Sequence, residues 1–338
     1  MIGRRKLGLR RFSRQITKDD GPRLPSFPIG QQAMQSSGFN KSKVGMAAGL
    51  RLVGFVCLAL VAVFFFDTGP VLVHLAAVSG PDLAFMIGLH VVIILLVSWR
   101  FAILARAAGA HIHIVEANRL TFGSTLANMV LPTSLAGDAG RVWLVQRFGL
   151  TLKTAMGVGV FDRIVGLGSL GAIVLMGALA EPSVVPRWTA ALVCLVSIAA
   201  VIAFFARWKP PDTASAPRRS LAWRREGIFA STIALSLAAH LVSIAIAFLF
   251  LNDQGVSVGI GHLLVLFPAV LLAASVPVSI GGWGTRELAA AGAFAVIGLD
   301  GSMAIAMAFM FGVTQTLAAG LGTLCFALSN AVPSTEVD

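Results

Sequence analysis

Seven apolar runs separated by short polar stretches organise this 338-residue chain. They cover roughly residues 44–66, 83–99, 154–180, 189–206, 228–251, 261–278 and 302–328. Most approach the ~20 residues that a helix rising 1.5 Å per residue needs to cross a bilayer. Residues 115–131 and 285–298 are shorter or more polar, and each flanks a segment broken by Gly and Pro. Non-helical backbone survives at membrane depth only where protein buries it or a wet cavity borders it. The pattern therefore predicts an all-α polytopic integral membrane protein. It would have about 6–8 transmembrane helices and two broken or re-entrant helix motifs forming an inverted repeat.

The two broken segments are close copies. Residues 131–141 read Leu-Pro-Thr-Ser-Leu-Ala-Gly-Asp-Ala-Gly-Arg, and residues 276–286 read Val-Pro-Val-Ser-Ile-Gly-Gly-Trp-Gly-Thr-Arg. Pro132/Pro277, Ser134/Ser279, Gly137/Gly282 and Arg141/Arg286 align without a gap. Paired, interrupted hydrophobic segments of this kind mark the binding site in many transporters.

Charge orients the spans. The loop at 67–82 carries Asp67 and Asp82 and no Lys or Arg, and the loop at 252–260 carries only Asp253. Arg100, Arg106 and Arg119 fall within 100–119, and six basic residues fall within 207–227. Basic loops stay in the cytoplasm. This places the N-terminus, 100–153 and 207–227 inside, and 67–82, 181–188 and 252–260 outside. The first motif is then approached from the inside and the second from the outside. If both are re-entrant, the copies are inverted; if both flanking helices cross fully, the copies share one face.

Composition agrees. Apolar residues make up 57% of the chain and charged residues 12%, against about 25% charged in soluble domains. The net charge of +11 sits in a tail and a loop beside membrane spans. That distribution speaks for anionic lipid surfaces and against nucleic acid. Residues 1–43 are basic, polar and Pro/Gly-containing, which predicts a disordered cytoplasmic tail. A transmembrane domain over 44–328 and a short tail over 329–338 follow. Cys57, Cys194 and Cys325 lie in apolar runs without a CxxC partner and predict neither a disulfide framework nor a metal site.

The candidate chemistry concentrates at the motifs. Gly281, Gly282 and Gly284 permit positive φ and close approach of a ligand to backbone. Thr285 is suited to cap a following helix, whose N-terminus attracts anions. Arg286 adds a planar charged fork that suits phosphate, with Glu287 to tune it. This is either a site for an anionic headgroup or a packing turn with an internal ion pair. In the first copy, Asn128 lies one turn before Pro132, and Gly137 and Asp138 precede Arg141. Asp138 has two equal readings, as an N-cap and as a ligand. An arginine on an apolar segment costs roughly 2.5–3.5 kcal/mol at the bilayer centre on insertion scales. Two retained at one repeat position suggest a shared task. Asp162 and Arg163 lie inside the run 154–180 among glycines. They point about 100° apart on a helix, which predicts one toward the cavity and the other toward a neighbour. Asp162 is a candidate partner for Arg141 or Arg286. Arg100 and Arg119 read as snorkelling interface residues, and His90 and His240 as interhelical hydrogen-bonding histidines. His111 and His113 diverge on a helix and do not form a metal pair. Ser134 and Ser279 have no activating base at a suitable spacing and read as turn residues.

Asn128-Met-Val-Leu-Pro132, Gly137-Asp138-Ala-Gly-Arg141, Asp162-Arg163-Ile-Val-Gly166-Leu and Gly281-Gly-Trp-Gly-Thr-Arg286-Glu287 resemble the transmembrane region of lysylphosphatidylglycerol synthases. That region also stands alone as a flippase-like membrane protein, and the resemblance covers about 44–328. One departure is Ala136, where the family's G-G-D pattern has its first glycine. The resemblance implies a multi-pass protein of the bacterial inner membrane, tied to lipid translocation or lipid modification. The implied partner is an anionic phospholipid, a polyprenyl phosphate or a hopanoid-type lipid. No soluble synthase domain follows residue 328, so aminoacyl transfer is not expected of this chain. No G-x-x-x-x-G-K-[ST] is present and no cofactor is expected. The leading expectation is a lipid flippase. Its rivals are a membrane subunit that modifies a lipid or polyprenyl carrier by sugar or aminoacyl transfer, and a scaffold for a lipid-synthesis enzyme. Abundant small residues also permit a homodimer.

Overall fold

The computed structural model describes residues 68–131, 136–184, 195, 218–275, 279 and 281–329. The tail at 1–43, the run at 44–66, Pro132, Ser134 and Pro277 lie outside the described residues, as do Cys57 and Cys194. So do most of the run at 189–206, the basic loop up to residue 217 and residues 330–338.

The described residues form nine α-helices and no strand. They are α1 (Thr68–Ala76), α2 (Gly80–Ala107), α3 (Ile114–Val130), α4 (Ala136–Val145), α5 (Leu152–Ala180), α6 (Arg218–Asp253), α7 (Ile260–Ser275), α8 (Thr285–Ala295) and α9 (Gly301–Ser329). Four stretches are long and apolar enough to cross a membrane: Gly80–Ala107, Leu152–Ala180, Gly227–Asp253 and Gly301–Ser329. The chain is thus a multi-pass membrane protein. Three of the long helices, α2, α5 and α9, start on polar caps. The Ser79 side chain accepts the N–H of Asp82 at 3.2 Å, Thr151 accepts that of Thr154 at 3.3 Å, and Asp300 accepts those of Ser302 and Met303 at 3.0 and 3.2 Å. Each cap satisfies N–H groups that a helix start leaves without partners.

Two sequence expectations change here. The stretch 67–82 is not simply a loop, because α1 and the start of α2 occupy it. The run at 261–278 is not a full span either. It ends at Ser275 as a 16-residue helix, α7, with Pro268 inside it. Sixteen residues rise about 24 Å, short of the ~30 Å hydrocarbon core.

Both motifs join pairs of helices that pack against each other as hairpins. The arms α3 and α4 pack against each other, as do α7 and α8. A Cβ added to Gly137 would collide with the backbone of Ser124, so the second arm folds straight back along the first. The hairpins enter from opposite ends of α5. Beside the start of α3, the His111 N–H donates to the Phe148 carbonyl at 2.9 Å, close to the Thr151 cap of α5. The start of α7 lies at the other end, where Gly261 abuts Glu181, the C-cap of α5.

The packing repeats in the same sense. Exchange α2, α3, α4 and α5 for α6, α7, α8 and α9, and the pairs of packed helices map onto one another. The pair α3 on α9 becomes α7 on α5, and α2 on α9 becomes α6 on α5, while α2 on α6 maps onto itself. Glycines tighten the crossed pairs. A Cβ on Gly177 of α5 would lie 2.7–2.8 Å from Val265 and Leu264 of α7, and one on Gly322 of α9 would overlap the Phe122 ring of α3. Small residues let membrane helices approach closely enough for dispersion to hold them.

Candidate functional site

The tips of the two hairpins meet. Gly281 sits at φ +57°, and a Cβ there would lie 2.9 Å from the Met129 Cα and 3.2 Å from the Asn128 carbonyl. Gly282 and Gly284 also have positive φ, 81° and 82°. The tip of the second copy therefore follows a path that L side chains resist, and it touches the first copy backbone to backbone.

Beside this junction lies one cavity of about 320 Å³. Arg100, Arg141, Arg163 and Arg286 face it, with Asp138 and Asp162. Asn128 and Gly281 line it as well. Gly137, Gly282, Gly284 and Glu287 shape the hairpins behind it, and Pro132 is outside the described residues.

Asp162 is the hub of the first cluster. Its Oδ1 accepts from Arg100 Nε at 2.7 Å, and its Oδ2 from Arg141 Nη2 at 3.1 Å. All three side chains are buried, and Arg100 Nη1 also donates to Ser236 at 2.9 Å. A buried carboxylate between two guanidiniums is tolerable because its oxygens are occupied and its charge is opposed on both sides. Arg141 also lies under the Phe101 ring, 4.3 Å from its centroid, while its buried Nε has no hydrogen-bond partner.

Asp138 belongs to a looser group at the same wall. It pairs with Arg163, stands 3.6 Å from Arg141 Nη2, and accepts from Asn128 Nδ2 at 3.4 Å. Its N-cap reading is not borne out, because α4 starts at Ala136 and Asp138 lies within the first turn. Asn128 serves that helix end from across the hairpin, accepting the Gly137 N–H at 2.8 Å.

The second copy closes its charge locally. Arg286 donates Nε and Nη2 to Glu287 Oε1 at 3.2 and 3.0 Å. Glu287 Oε2 accepts the Gly284 N–H at 2.5 Å and so caps α8. Thr285 is not the cap: its hydroxyl donates to the Gly282 carbonyl at 2.9 Å. Arg286 is only 2% exposed. It lies between Trp283 and Phe311, 4.9 and 5.9 Å from their centroids, and a Cβ on Gly312 would collide with its guanidinium. Ser279 is buried and hydrogen-bonded to Thr285 at 2.9 Å.

Of the two partners expected for Asp162, Arg141 is the one it meets, while Arg286 pairs with Glu287. Other expectations shift. Asp162 and Arg163 both reach the cavity, because it is broad enough to take two adjacent positions of α5. Arg100 is no interface residue: it is 6% exposed and ion-paired. A signal for this existed in its position. Arg100 lies seven residues before the end of α2, about 10 Å inside the helix. Arg106, in the last turn, bonds the Ile112 carbonyl instead. Arg119, His111 and His113 are exposed. His240 does bond across helices, with Nε2 3.0 Å from the Gly166 carbonyl. His90 does not: its Nδ1 meets Met86 of its own helix at 3.2 Å, and its buried Nε2 has no partner.

The family model described as the lysylphosphatidylglycerol synthase TM region matches residues 46–322. The chain belongs to that family. Both hairpins, the cavity and its six charged residues fall within the matched region of this lysylphosphatidylglycerol synthase TM-region protein. A search of curated proteins gives no match. Family membership ties the chain to membrane lipids.

Proposed function

We propose that this protein is a lipid transporter of the flippase type that takes an anionic, phosphate-bearing headgroup into the cavity between the hairpin tips. One observation carries the reading: four arginines face the cavity, against two aspartates, with Glu287 behind Arg286 as a third carboxylate. One positive charge is therefore left over beside the buried Arg100, Arg141 and Asp162, where it attracts an anion. Guanidinium is also the side chain best matched to phosphate oxygens. At about 320 Å³ the space accepts a headgroup and leaves the acyl or prenyl chain in the bilayer.

The inverted hairpins support transport over group transfer. A site between two arms entering from opposite sides can open to either side by rocking one repeat against the other. The carboxylates near the cavity are also committed to ion pairs, which suits charge balancing more than proton transfer. In this reading the N-terminus is cytoplasmic, as the basic loops favour, and the bacterial inner membrane is the setting.

The test is headgroup translocation in proteoliposomes of the full chain, using fluorescent phosphatidylglycerol. Arg141→Ala and Arg286→Ala should each slow flipping by about tenfold or more, the effect of ~1.4 kcal/mol of lost binding. Wild-type rates in both variants would reject the reading.

A further inference from the structure

We propose that Asp138 is an internal stand-in for the ligand. Its carboxylate holds the place between Arg141 and Arg163 that the headgroup phosphate takes on binding, and the phosphate displaces it. This rests on the cavity being a headgroup site, as proposed above.

The three carboxylates near the cavity are not held alike. Asp162 has both oxygens on buried arginine donors at 2.7 and 3.1 Å, with its side chain 2% exposed. Glu287 has one oxygen on Arg286 and the other on the Gly284 N–H, with its side chain 8% exposed. Neither can leave without stranding a buried charge, which is strongly unfavourable. Asp138 differs on each point. Its side chain is 22% exposed, its contacts with Arg141 and Asn128 are long, 3.6 and 3.4 Å, and its close partner Arg163 is itself 45% exposed. It can turn outward and take water in place of these partners.

An unpaired donor belongs to the same arginine that Asp138 faces. Arg141 Nε is buried without a hydrogen-bond partner, while its Nη2 is shared between Asp138 and Asp162. A buried guanidinium N–H left unpaired is costly and points to an acceptor that arrives from outside. A carboxylate has two oxygens and already spends them on Arg163, Arg141 and Asn128. A phosphate offers more acceptor oxygens around a tetrahedral centre. It can meet Arg163 and Arg141 Nη2 as Asp138 does and reach Nε besides. The internal anion offsets part of the guanidinium charge when the cavity is empty, and its displacement lowers the net affinity so that the lipid can leave again.

The inference predicts a gain of affinity from losing a charge. Binding of short-chain phosphatidylglycerol to the purified full-length protein is measured by isothermal titration, with short-chain phosphatidylcholine and inorganic phosphate as separate arms. Asp138→Asn, which keeps the shape, should lower the Kd for phosphatidylglycerol about tenfold, and Arg163→Gln added to it should remove that gain. An unchanged or raised Kd in Asp138→Asn, with wild-type binding intact and weakened in Arg141→Gln, overturns the stand-in while the headgroup site survives. No preference of the wild type for phosphatidylglycerol over phosphatidylcholine overturns the site itself, and the inference with it. Inorganic phosphate competing as well as the lipid overturns the assignment to a lipid.

Discussion

Equivalent arginines of the repeat have diverged in how their charge is met. Asp162 and Phe311 are each the eleventh residue of the spanning helix that follows a hairpin, α5 and α9. Arg141 therefore meets a carboxylate on its facing helix, whereas Arg286 meets a ring and, one residue on, Gly312. Glu287 supplies in the hairpin what α9 does not. Asp162→Asn should consequently be severe. It keeps the side-chain volume but leaves Arg100 and Arg141 buried without their shared counterion, a loss of about 3–5 kcal/mol for breaking such a pair. Thermal unfolding in detergent should show a large fall in the midpoint, and an unchanged midpoint would show that the cluster is not structural. The arginine positions in the motifs were legible in the sequence because the repeat displayed them. The partnership of Arg100 with Asp162 was not, since 62 residues separate the two and only the packing of α2 on α5 joins them.

Among the helices, the interruptions were legible and their geometry was not. Gly and Pro announced two breaks, and residue type permitted the positive φ that Gly281, Gly282 and Gly284 adopt. Whether each break bent a spanning helix or turned it back depended on tertiary contacts, chiefly Gly137 against Ser124 and Gly282 against Ala274. Apolar run length misled at 261–278, because α7 is as hydrophobic as a span yet has only 16 residues. The opposed hairpins have a direct test in sided labelling. In a chain with Cys57, Cys194 and Cys325 replaced, His113→Cys before α3 and Ser257→Cys before α7 should react with a membrane-impermeant maleimide from opposite sides. Labelling of both from one side contradicts the inverted arrangement.

For the whole molecule, the family and the membrane architecture were visible in the sequence. The joining of both motifs at one cavity needed the fold, since it depends on two tips meeting between inverted halves. An excess of guanidinium at that junction is the centre of the account, and it makes a demand on chemistry more than on shape. Mass spectrometry of the lipid that co-purifies with the full-length protein tests it most directly. The account predicts a phosphate-bearing anionic lipid enriched over its share of the host membrane, with the enrichment lost in Arg141→Gln. Bound lipid that mirrors the bulk membrane, in wild type and variant alike, would contradict it.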